Sequence, residues 1–346
     1  MKDDTKIINP LQYPSWNDLL ITTPGHSFFH SSNWASVLSE SYHYTPRYFV
    51  VVQREKLIAL IPFMEVDSMV TGKRGVSLPF TDYCNPIMAD QTAFDDVMAS
   101  LISYGKKVGW KYFELRTEYP LQREITPSSS FYGHTLDISH DEGTIFSLFR
   151  DSTKRNIRKA AKEGVAITIT RSLDAVSEFY RLHCMRRKDH GLPPQPYLWF
   201  RKIYDHVIAK NHGFVALASY SGIWIAGAVY CHFGDQIFYK YGASDKRYRH
   251  LRANNLVMWE AMRWCRKEGC TRFSFGRTEH GNTGLLQYKH GWGAREFPLY
   301  YYRYDLKRDA FIRHDELILG LHSEIFRKMP VPLLKIAGAI LYRHMG

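Results

Sequence analysis

A single cation closes a glycine-rich stretch near the end of the chain. The stretch FGRTEHGNTGLLQYKHGWG (Phe275–Gly293) begins as the end of a strand and is predicted to continue as a loop, with Lys289 between Tyr288 and Trp292. It lacks the G-x-x-x-x-G-K-[ST] spacing of a P-loop. Burying an unpaired ammonium is costly. We therefore expect Lys289 either to contact an anion or to lie exposed after the strand.

A second group of cations lies on a predicted helix. The segment FRDSTKRNIRKAAKEGV (Phe149–Val165) has a capping signal near Asp151 or Ser152 and places Arg155, Arg158 and Lys162 on one face. No acid occurs between Lys154 and Lys162. Such a one-signed face indicates an anion-binding surface, and a solvated surface helix is the alternative.

A third group precedes another predicted helix. The segment YKYGASDKRYRHLRANN (Tyr239–Asn255) contains Arg249 and Arg252 just before a helix that starts at Asn254. Because backbone N–H groups and the helix dipole at an N terminus favour phosphate, these three residues are predicted to bind a phosphate-bearing substrate. An exposed basic loop is the alternative.

Other side chains are suited to proton transfer or to orienting a carbonyl. Asp82 follows a predicted buried strand and precedes a proline turn, which makes it a candidate general base or the first residue of an Asx turn. Tyr239 and Tyr241 occupy alternate positions of a strand, so both are expected on one face. They would orient a substrate or be core aromatics.

The composition of the chain limits the class of partner and the compartment in which these groups act. The 346 residues carry a formal net charge of +12, which favours an anionic partner such as nucleic acid, a phosphorylated substrate or a membrane surface. Five scattered cysteines show no metal-like spacing, so we expect a reducing compartment, no structural zinc and no metal in the site. Neither a secretion signal nor a membrane-spanning run is recognisable, which predicts a cytoplasmic protein.

The order of elements predicts an α/β (α+β) fold. Hairpins followed by a helix and a return strand occur twice, and the junction KKVGWKYFELRT (Lys106–Thr117) resembles RKEGCTRFSFGRT (Arg266–Thr278). We therefore predict two tandem domains, each a mixed sheet flanked by helices. The predicted boundaries are 1–150, 151–304 and a helical tail at 305–346.

Together these segments resemble a known family. The pieces KRNIRKAAKEGV, FYKYGAS, NNLVMWEAMRWCRKEG and FSFGRTEHGNTGLLQYKHGWG are similar to the Fem-type aminoacyltransferases, in particular to their FemAB-like, GNAT-related branch. SFFHSSNWASVL and GVSLPFTDYCNPIM are similar to the first domain of that branch. The resemblance covers nearly the whole chain and implies two GNAT-like domains.

The family resemblance implies an activity and roles for residues. Fem-type proteins move an aminoacyl group from tRNA to an amine on a peptidoglycan precursor, without a metal or cofactor. Lys289 in YKHGWG matches the lysine of the family's F-K-x-x-x-G motif, near the acyl donor. Tyr241 matches Y-x-Y-G-x-S and would orient the carbonyl. Arg187 is a candidate phosphate ligand for the acceptor.

The sequence departs from the family in ways that leave the donor open. It lacks the coiled-coil insertion of some Fem members, and its loop HCMRRKDHGLPPQPYLWF (His183–Phe200) has the Gly-Leu-Pro-Pro pattern of the branch. The stretch YRHLRA (Tyr248–Ala253) is a degenerate form of the GNAT pyrophosphate signature. Aminoacyl-tRNA and acyl-CoA are both possible donors, and a non-catalytic RNA-binding module is a further alternative.

The tail has the composition of an interfacial helix. FRKMPVPLLKIAGAILYRHMG (Phe326–Gly346) contains four Lys or Arg and no acid, with apolar residues at helical spacing. It is expected either to contact an anionic membrane or to pack against the first domain. The predicted acceptor is a lipid-linked envelope precursor, so the protein is expected in the cytoplasm, at the inner face of the membrane.

Overall fold

The computed structural model describes residues 5–121, 125–313 and 323–346. Contacts divide the chain into two compact units. The first unit falls within 1–131, 298–316 and 341–346, and the second within 132–297 and 317–340. These limits differ from the domain boundaries near residues 150 and 304 that the sequence suggested, and those boundaries remain a prediction.

Strands and helices are distributed over the whole of the described chain. The strands are β1 (Lys6–Ile8), β2 (Thr45–Gln53), β3 (Lys56–Val66), β4 (Arg74–Ser77), β5 (Ile87–Met88), β6 (Tyr112–Thr117), β7 (Ser129–Asp137), β8 (Ala166–Thr170), β9 (Gly213–Tyr220), β10 (Ile223–Phe233), β11 (Gln236–Ser244), β12 (Arg272–Thr278), β13 (Arg295–Asp305) and β14 (Ala310–Ile312). The α-helices are α1 (Trp16–Ile21), α2 (Ser32–Tyr42), α3 (Gln91–Lys107), α4 (Glu142–Ser147), α5 (Asp151–Lys162), α6 (Leu173–Asp189), α7 (Tyr197–Ile203), α8 (Ala253–Lys267), α9 (Thr283–His290), α10 (Ser323–Lys328) and α11 (Val331–Tyr342).

In the first unit the strand order is β1-β2-β3-β4-β6, followed by the end of β13. The β4–β6 pair is parallel and the other neighbours are antiparallel. Helix α3 packs on β2 and β3. The core between them contains Phe49, Phe63 and Phe113, all fully buried.

In the second unit the order is β8-β9-β10-β11-β12, followed by β7. The β11–β12 pair is parallel and the remaining pairs are antiparallel. Alternation along β10 places Ala228 and Tyr230 in the core with α5 and α8. Gly227 lies on the opposite face, against Phe179 of α6. Helices therefore cover both faces of this mixed sheet.

The predicted helix-to-strand junctions are confirmed locally. After α3 and after α8 a glycine adopts a left-handed conformation, Gly109 with φ +76° and Gly269 with φ +88°, which ends the helix before the next strand. In each unit that strand then pairs in parallel with an earlier one. Whether the two units superpose remains a prediction.

Two local predictions were wrong. Residues 283–290 form helix α9 and not a loop, because the Asn282 side chain accepts the Leu285 N–H at 3.1 Å and caps the helix. Helix α5 has its N-cap at Arg150, whose own N–H donates to Gly291 O at 2.9 Å, and not at Asp151 or Ser152.

Candidate functional site

A pocket of about 590 Å³ lies in the second unit, where the carboxyl end of β11 meets the N terminus of α8. We call it the basic pocket, because it is lined by five cations. They are Arg150, Arg186, Lys246, Arg249 and Arg252. The pocket therefore brings together cations from the start of α5, from α6 and from the turn before α8.

The charge of the basic pocket is strongly positive. Asp245 is the one acid among its lining residues, and Arg247 Nη2 donates to Asp245 Oδ2 at 2.6 Å. The hydrogen bonds from Arg247 lower the pKa of Asp245 and hold it ionised. Lys246 is bonded to Asp189 at 2.7 Å. The remaining arginines leave an excess of positive charge that suits a phosphate-bearing ligand.

The turn before α8 aims backbone donors at this space. Arg252 adopts φ +59° and precedes the helix without a side-chain cap. The Asn255 N–H donates to Arg252 O at 3.0 Å. The N–H groups of Ala253 and Asn254 have no side-chain cap, which suits a ligand at this end of α8. Asn254 lines the basic pocket and donates from Nδ2 to Ser244 Oγ at 3.1 Å. The structure thus brings Arg249, Arg252 and Asn254 together, as their spacing suggested.

Helix α9 forms the opposite wall of the basic pocket. Tyr288 lines it, and burial raises the pKa of the Tyr288 hydroxyl, so that it stays protonated. Gly291 ends this wall against α5, where a Cβ would lie 2.8 Å from Thr153 Oγ1. The absence of a side chain at Gly291 therefore permits the close approach of α9 and α5 that closes this side of the pocket.

The parallel strands beside the basic pocket separate. β11 and β12 pair only over Gln236–Phe238 and Arg272–Ser274, although both strands continue. A bulge interrupts β11 between Tyr239 and Tyr241, opposite Val229 and Tyr230 of β10. Within the described pairing, the later residues of the two strands do not bond to each other. β11 and β12 are therefore separated by a gap, with backbone N–H and C=O groups on both sides.

Lys289 is not exposed, so that alternative was wrong, and its contact with an anion remains a prediction. It is 3% exposed, and its Nζ donates to Gly276 O at 2.7 Å and to Arg277 O at 3.0 Å. These carbonyls compensate the burial that we expected to be prohibitive. Gly276 has φ +74°, a backbone conformation that favours glycine. Lys289 therefore ties α9 to β12 beside the gap.

The two tyrosines of β11 do not share a face. Because of the bulge at Lys240, Tyr239 pairs with Tyr230 and Tyr241 pairs with Val229. Tyr239 accordingly packs against the core under α8, and burial raises its pKa to about 12. The Tyr241 ring lies 5.3 Å from that of Phe200 on the other face. Trp199 Nε1 donates to the Tyr241 hydroxyl at 2.9 Å.

The cations of α5 lie outside the basic pocket. Arg155 and Arg158 are exposed and line a shallow hollow of about 540 Å³ with Lys159, Lys162 and others. The Arg158 guanidinium lies 5.3 Å above the ring of Phe146. Ile157 is buried on the inner side, as the helical pattern predicted. The hollow is a separate basic surface.

The two remaining predicted residues have backbone contacts. Arg187 Nε donates to Pro193 O at 3.1 Å and supports the following loop. Its neighbour Arg186 lines the basic pocket and was missed by sequence reasoning. Asp82 belongs to the first unit, is half-buried, and accepts the Tyr301 hydroxyl through its backbone carbonyl at 2.6 Å. The roles of Asp82 and Arg187 remain predictions.

Arg150 and Tyr288 were also missed as lining residues. A signal for both was present, since Arg150 directly precedes the basic helix and Tyr288 directly precedes Lys289. Their convergence depends on contacts between α5, α8 and α9, which the spacing of the sequence does not reveal.

A group with metal-ligand chemistry also occurs in the second unit. His134, His290 and Glu296 place ligand atoms within 4.8 Å of one another. His134 is fully buried, and burial together with the charge of Lys289 lowers its pKa to about 4. The imidazole is therefore neutral near pH 7.

The second unit is similar to a GNAT-type domain. A family model described as an acetyltransferase (GNAT) domain matches residues 147–290. A solved structure of FemX superposes with a TM-score of 0.68 at 12% identity, covering 86% of this chain and 96% of that chain. A tandem GNAT protein from the clavulanic acid biosynthesis pathway gives a TM-score of 0.55 at 8% identity, with 88% and 98% covered. The predicted mixed α/β fold is confirmed.

Curated relatives extend the similarity to sequence. The lipid II:glycine glycyltransferase of Staphylococcus epidermidis is 33% identical over 79 residues, which cover 21% of this chain and 19% of that protein. The Staphylococcus aureus protein of the same name is 31% identical over 79 residues. The chain thus matches about a fifth of the length of these relatives. The predicted resemblance to Fem-type, GNAT-related transferases is confirmed.

The described helices differ from membrane-spanning segments in length and hydropathy. None of those within residues 5–121, 125–313 and 323–346 is both long and apolar enough to span a bilayer.

Proposed function

We propose that this protein is an N-acyltransferase that moves an acyl or aminoacyl group onto an amine of a peptidoglycan-type envelope precursor. The observation that carries the proposal is the basic pocket beside the opened β11–β12 pair. It combines cations and helix N–H groups for a phosphate-bearing donor with strand backbone, beyond the paired residues of β11 and β12, for the acyl chain. The glycyltransferase relatives, whose name specifies lipid II, support the acceptor class.

Two donors share the chemistry that the basic pocket recognises. Aminoacyl-tRNA and acyl-CoA both present phosphates close to an activated carbonyl. The relatives favour an aminoacyl donor, and the match to an acetyltransferase domain favours acyl-CoA. Arg249 and Arg252 would bond phosphate oxygens at the N terminus of α8.

The proposed reaction needs no protein nucleophile. The acceptor nitrogen attacks the donor carbonyl carbon, the C–O or C–S bond to the donor breaks, and the tRNA hydroxyl or CoA thiol leaves. The amine must first lose a proton, and the oxyanion must be stabilised. Backbone N–H groups of the gap and the Tyr241 hydroxyl are the proposed donors to the carbonyl oxygen. A role as base for Asp82, which belongs to the first unit, is a separate proposal.

We also propose that α11 contacts an anionic membrane surface. Leu333, Ile336 and Ile340 are 52%, 59% and 58% exposed and follow one face of the helix. The buried Leu334 and Gly338, whose Cβ would meet Pro194 O, form the other face. No acid occurs from Ile325 to Gly346, so the charge complements anionic lipid. Five free cysteines fit a cytoplasmic position at that surface.

A panel of donors tests the function. Purified protein is incubated with charged tRNA, acetyl-CoA or longer acyl-CoA and an amine acceptor of lipid II type, and transfer is detected as a mass increase. We expect transfer from aminoacyl-tRNA. Transfer from CoA alone would show that acyl-CoA is the donor and that the protein is still an acyltransferase. No transfer from any donor, together with tight RNA binding, would support the RNA-binding alternative.

A further inference from the structure

The cluster of His134, His290 and Glu296 is not used by the proposed transfer chemistry. His134 lies on β7, His290 ends α9 and Glu296 lies on β13. His134 is 0% exposed, its Nδ1 has no hydrogen-bond partner among the described residues, and its Nε2 lies next to the carboxylate of Glu296. A buried imidazole that depends on one carboxylate contact for its hydrogen bonding is unfavourable and calls for a physical reason.

Two of the three distances within the cluster match those between ligands of one metal ion. His134 Nε2 lies 3.3 Å from Glu296 Oε2, and His290 Nε2 lies 3.0 Å from the same oxygen. Ligand atoms about 2.1 Å from a shared ion, at angles between octahedral and tetrahedral, are separated by about 3.0–3.4 Å. All three residues offer their ligand atoms within 4.8 Å.

Solvent can reach the cluster from one side. The side chains of His290 and Glu296 are 38% and 31% exposed, whereas His134 is enclosed. Two imidazoles and one carboxylate leave coordination positions for water on the open side. This donor set is typical of Zn²⁺ and related divalent transition metals.

The ligand set affects which ions are suitable. The Lys289 ammonium is bonded to the carbonyls of Gly276 and Arg277, and its charge repels every divalent cation alike. Mg²⁺ and Ca²⁺ prefer oxygen ligands. Nitrogen coordination favours the zinc type.

We propose that His134, His290 and Glu296 bind one divalent transition-metal ion of the zinc type. The ion would join β7, the end of α9 and β13, and α9 carries Tyr288 into the basic pocket. The site would therefore position a wall of that pocket without contacting the donor. It is independent of which acyl group the protein transfers.

Metal titration of the full chain tests the site. Tag-free protein is treated with a chelator, dialysed and titrated with Co²⁺ and then Zn²⁺, with visible absorption and thermal unfolding as readouts. We expect one Co²⁺ per chain, displaced by Zn²⁺ and unaffected by Mg²⁺. X-ray absorption of the wild-type Zn²⁺ form should show two imidazole ligands.

Variants separate this site from other histidines and from the buried cysteines. His290→Ala and Glu296→Gln should each weaken Co²⁺ binding by more than the about 10–100-fold expected for loss of an outer partner. His140→Ala, an exposed histidine of the same unit, is the matched control and should bind as the wild type does. Absence of stoichiometric binding by wild type, fewer than two imidazoles in the X-ray spectrum, or equal binding by folded His290→Ala protein would overturn the proposal.

Discussion

The Lys289 ammonium donates to the carbonyl oxygen of Gly276 at 2.7 Å, inside the second unit. A second bond reaches Arg277 O at 3.0 Å. The lysine that most resembles a family donor-site residue is thus engaged by backbone at the edge of the opened strands. We therefore expect that replacing Lys289 would first destabilise the contact between α9 and β12.

Lys289→Met should therefore lower the free energy of unfolding. The change leaves two carbonyls without their charged donor, and we expect a loss of about 1–3 kcal/mol. Urea unfolding followed by fluorescence measures it. Lys267→Met, at an exposed lysine, is the control and should stay within about 0.5 kcal/mol of wild type. Unchanged stability combined with a large loss of donor affinity would instead indicate direct contact with phosphate.

Charge removal at the turn before α8 should weaken donor binding. Arg252→Gly removes a cation and keeps the left-handed backbone, since φ is +59° at this position. A direct phosphate contact would make Arg252→Gly or Arg249→Ala cost about 1.5–3 kcal/mol of donor affinity. Binding at several salt concentrations provides the measurement. Lys267→Ala serves as the control. If the arginine variants lose no more donor affinity than Lys267→Ala does, Arg249 and Arg252 do not bind phosphate.

Tyr241→Phe separates a structural from a catalytic hydroxyl. The change removes the acceptor of the Trp199 N–H, so we expect a stability loss of about 1 kcal/mol. If the hydroxyl also orients the acyl carbonyl, kcat should fall with KM nearly unchanged. Comparison of unfolding midpoints with steady-state kinetics distinguishes the two roles. Wild-type kcat in this variant would exclude the catalytic one.

Acid should destabilise the folded protein partly through His30. His30 is 0% exposed; its Nδ1 accepts the Ser27 N–H at 3.0 Å and its Nε2 donates to Asn85 O at 2.9 Å. Burial lowers its pKa to about 4 from the ordinary 6.5. Between these values the unfolded chain binds a proton that the folded chain does not. Stability therefore falls as the pH falls, by up to about 1.4 kcal/mol per pH unit.

Unfolding at pH 7, 6 and 5 tests this proton uptake. His30→Gln should show a smaller pH dependence than wild type, whereas exposed His140→Gln should show the same dependence. A slope in His30→Gln equal to that of wild type would contradict the assignment.

The apolar face of α11 should determine lipid binding. Ile336→Glu with Ile340→Glu places acids on an exposed face, so folding should be unaffected while binding to anionic liposomes is reduced by charge repulsion. Ile223→Glu, at an exposed apolar residue on β10, is the matched control. Liposome sedimentation and thermal unfolding are measured on the same samples. Equal binding by all three proteins would show that α11 does not contact lipid.

Local patterns in the sequence determined most elements of this protein. β3 and β10 are each a run of strand-forming residues ended by a turn, which is the local pattern that predicts a strand. The glycines after α3 and α8 marked both helix ends. The α/β class followed from their order, and the cations before α8 followed from their spacing to its N terminus.

Tertiary structure decided what these elements bring together. The β11 bulge reverses the face of Tyr241, and backbone carbonyls make a buried Lys289 tolerable. Arg150 and Arg186 meet in the basic pocket from separate helices, and His134 meets Glu296 across strands distant in sequence. Sequence periodicity fixes only the side of an element that faces inward. Contacts between distant elements depend on sheet pairing and packing, which no local pattern encodes.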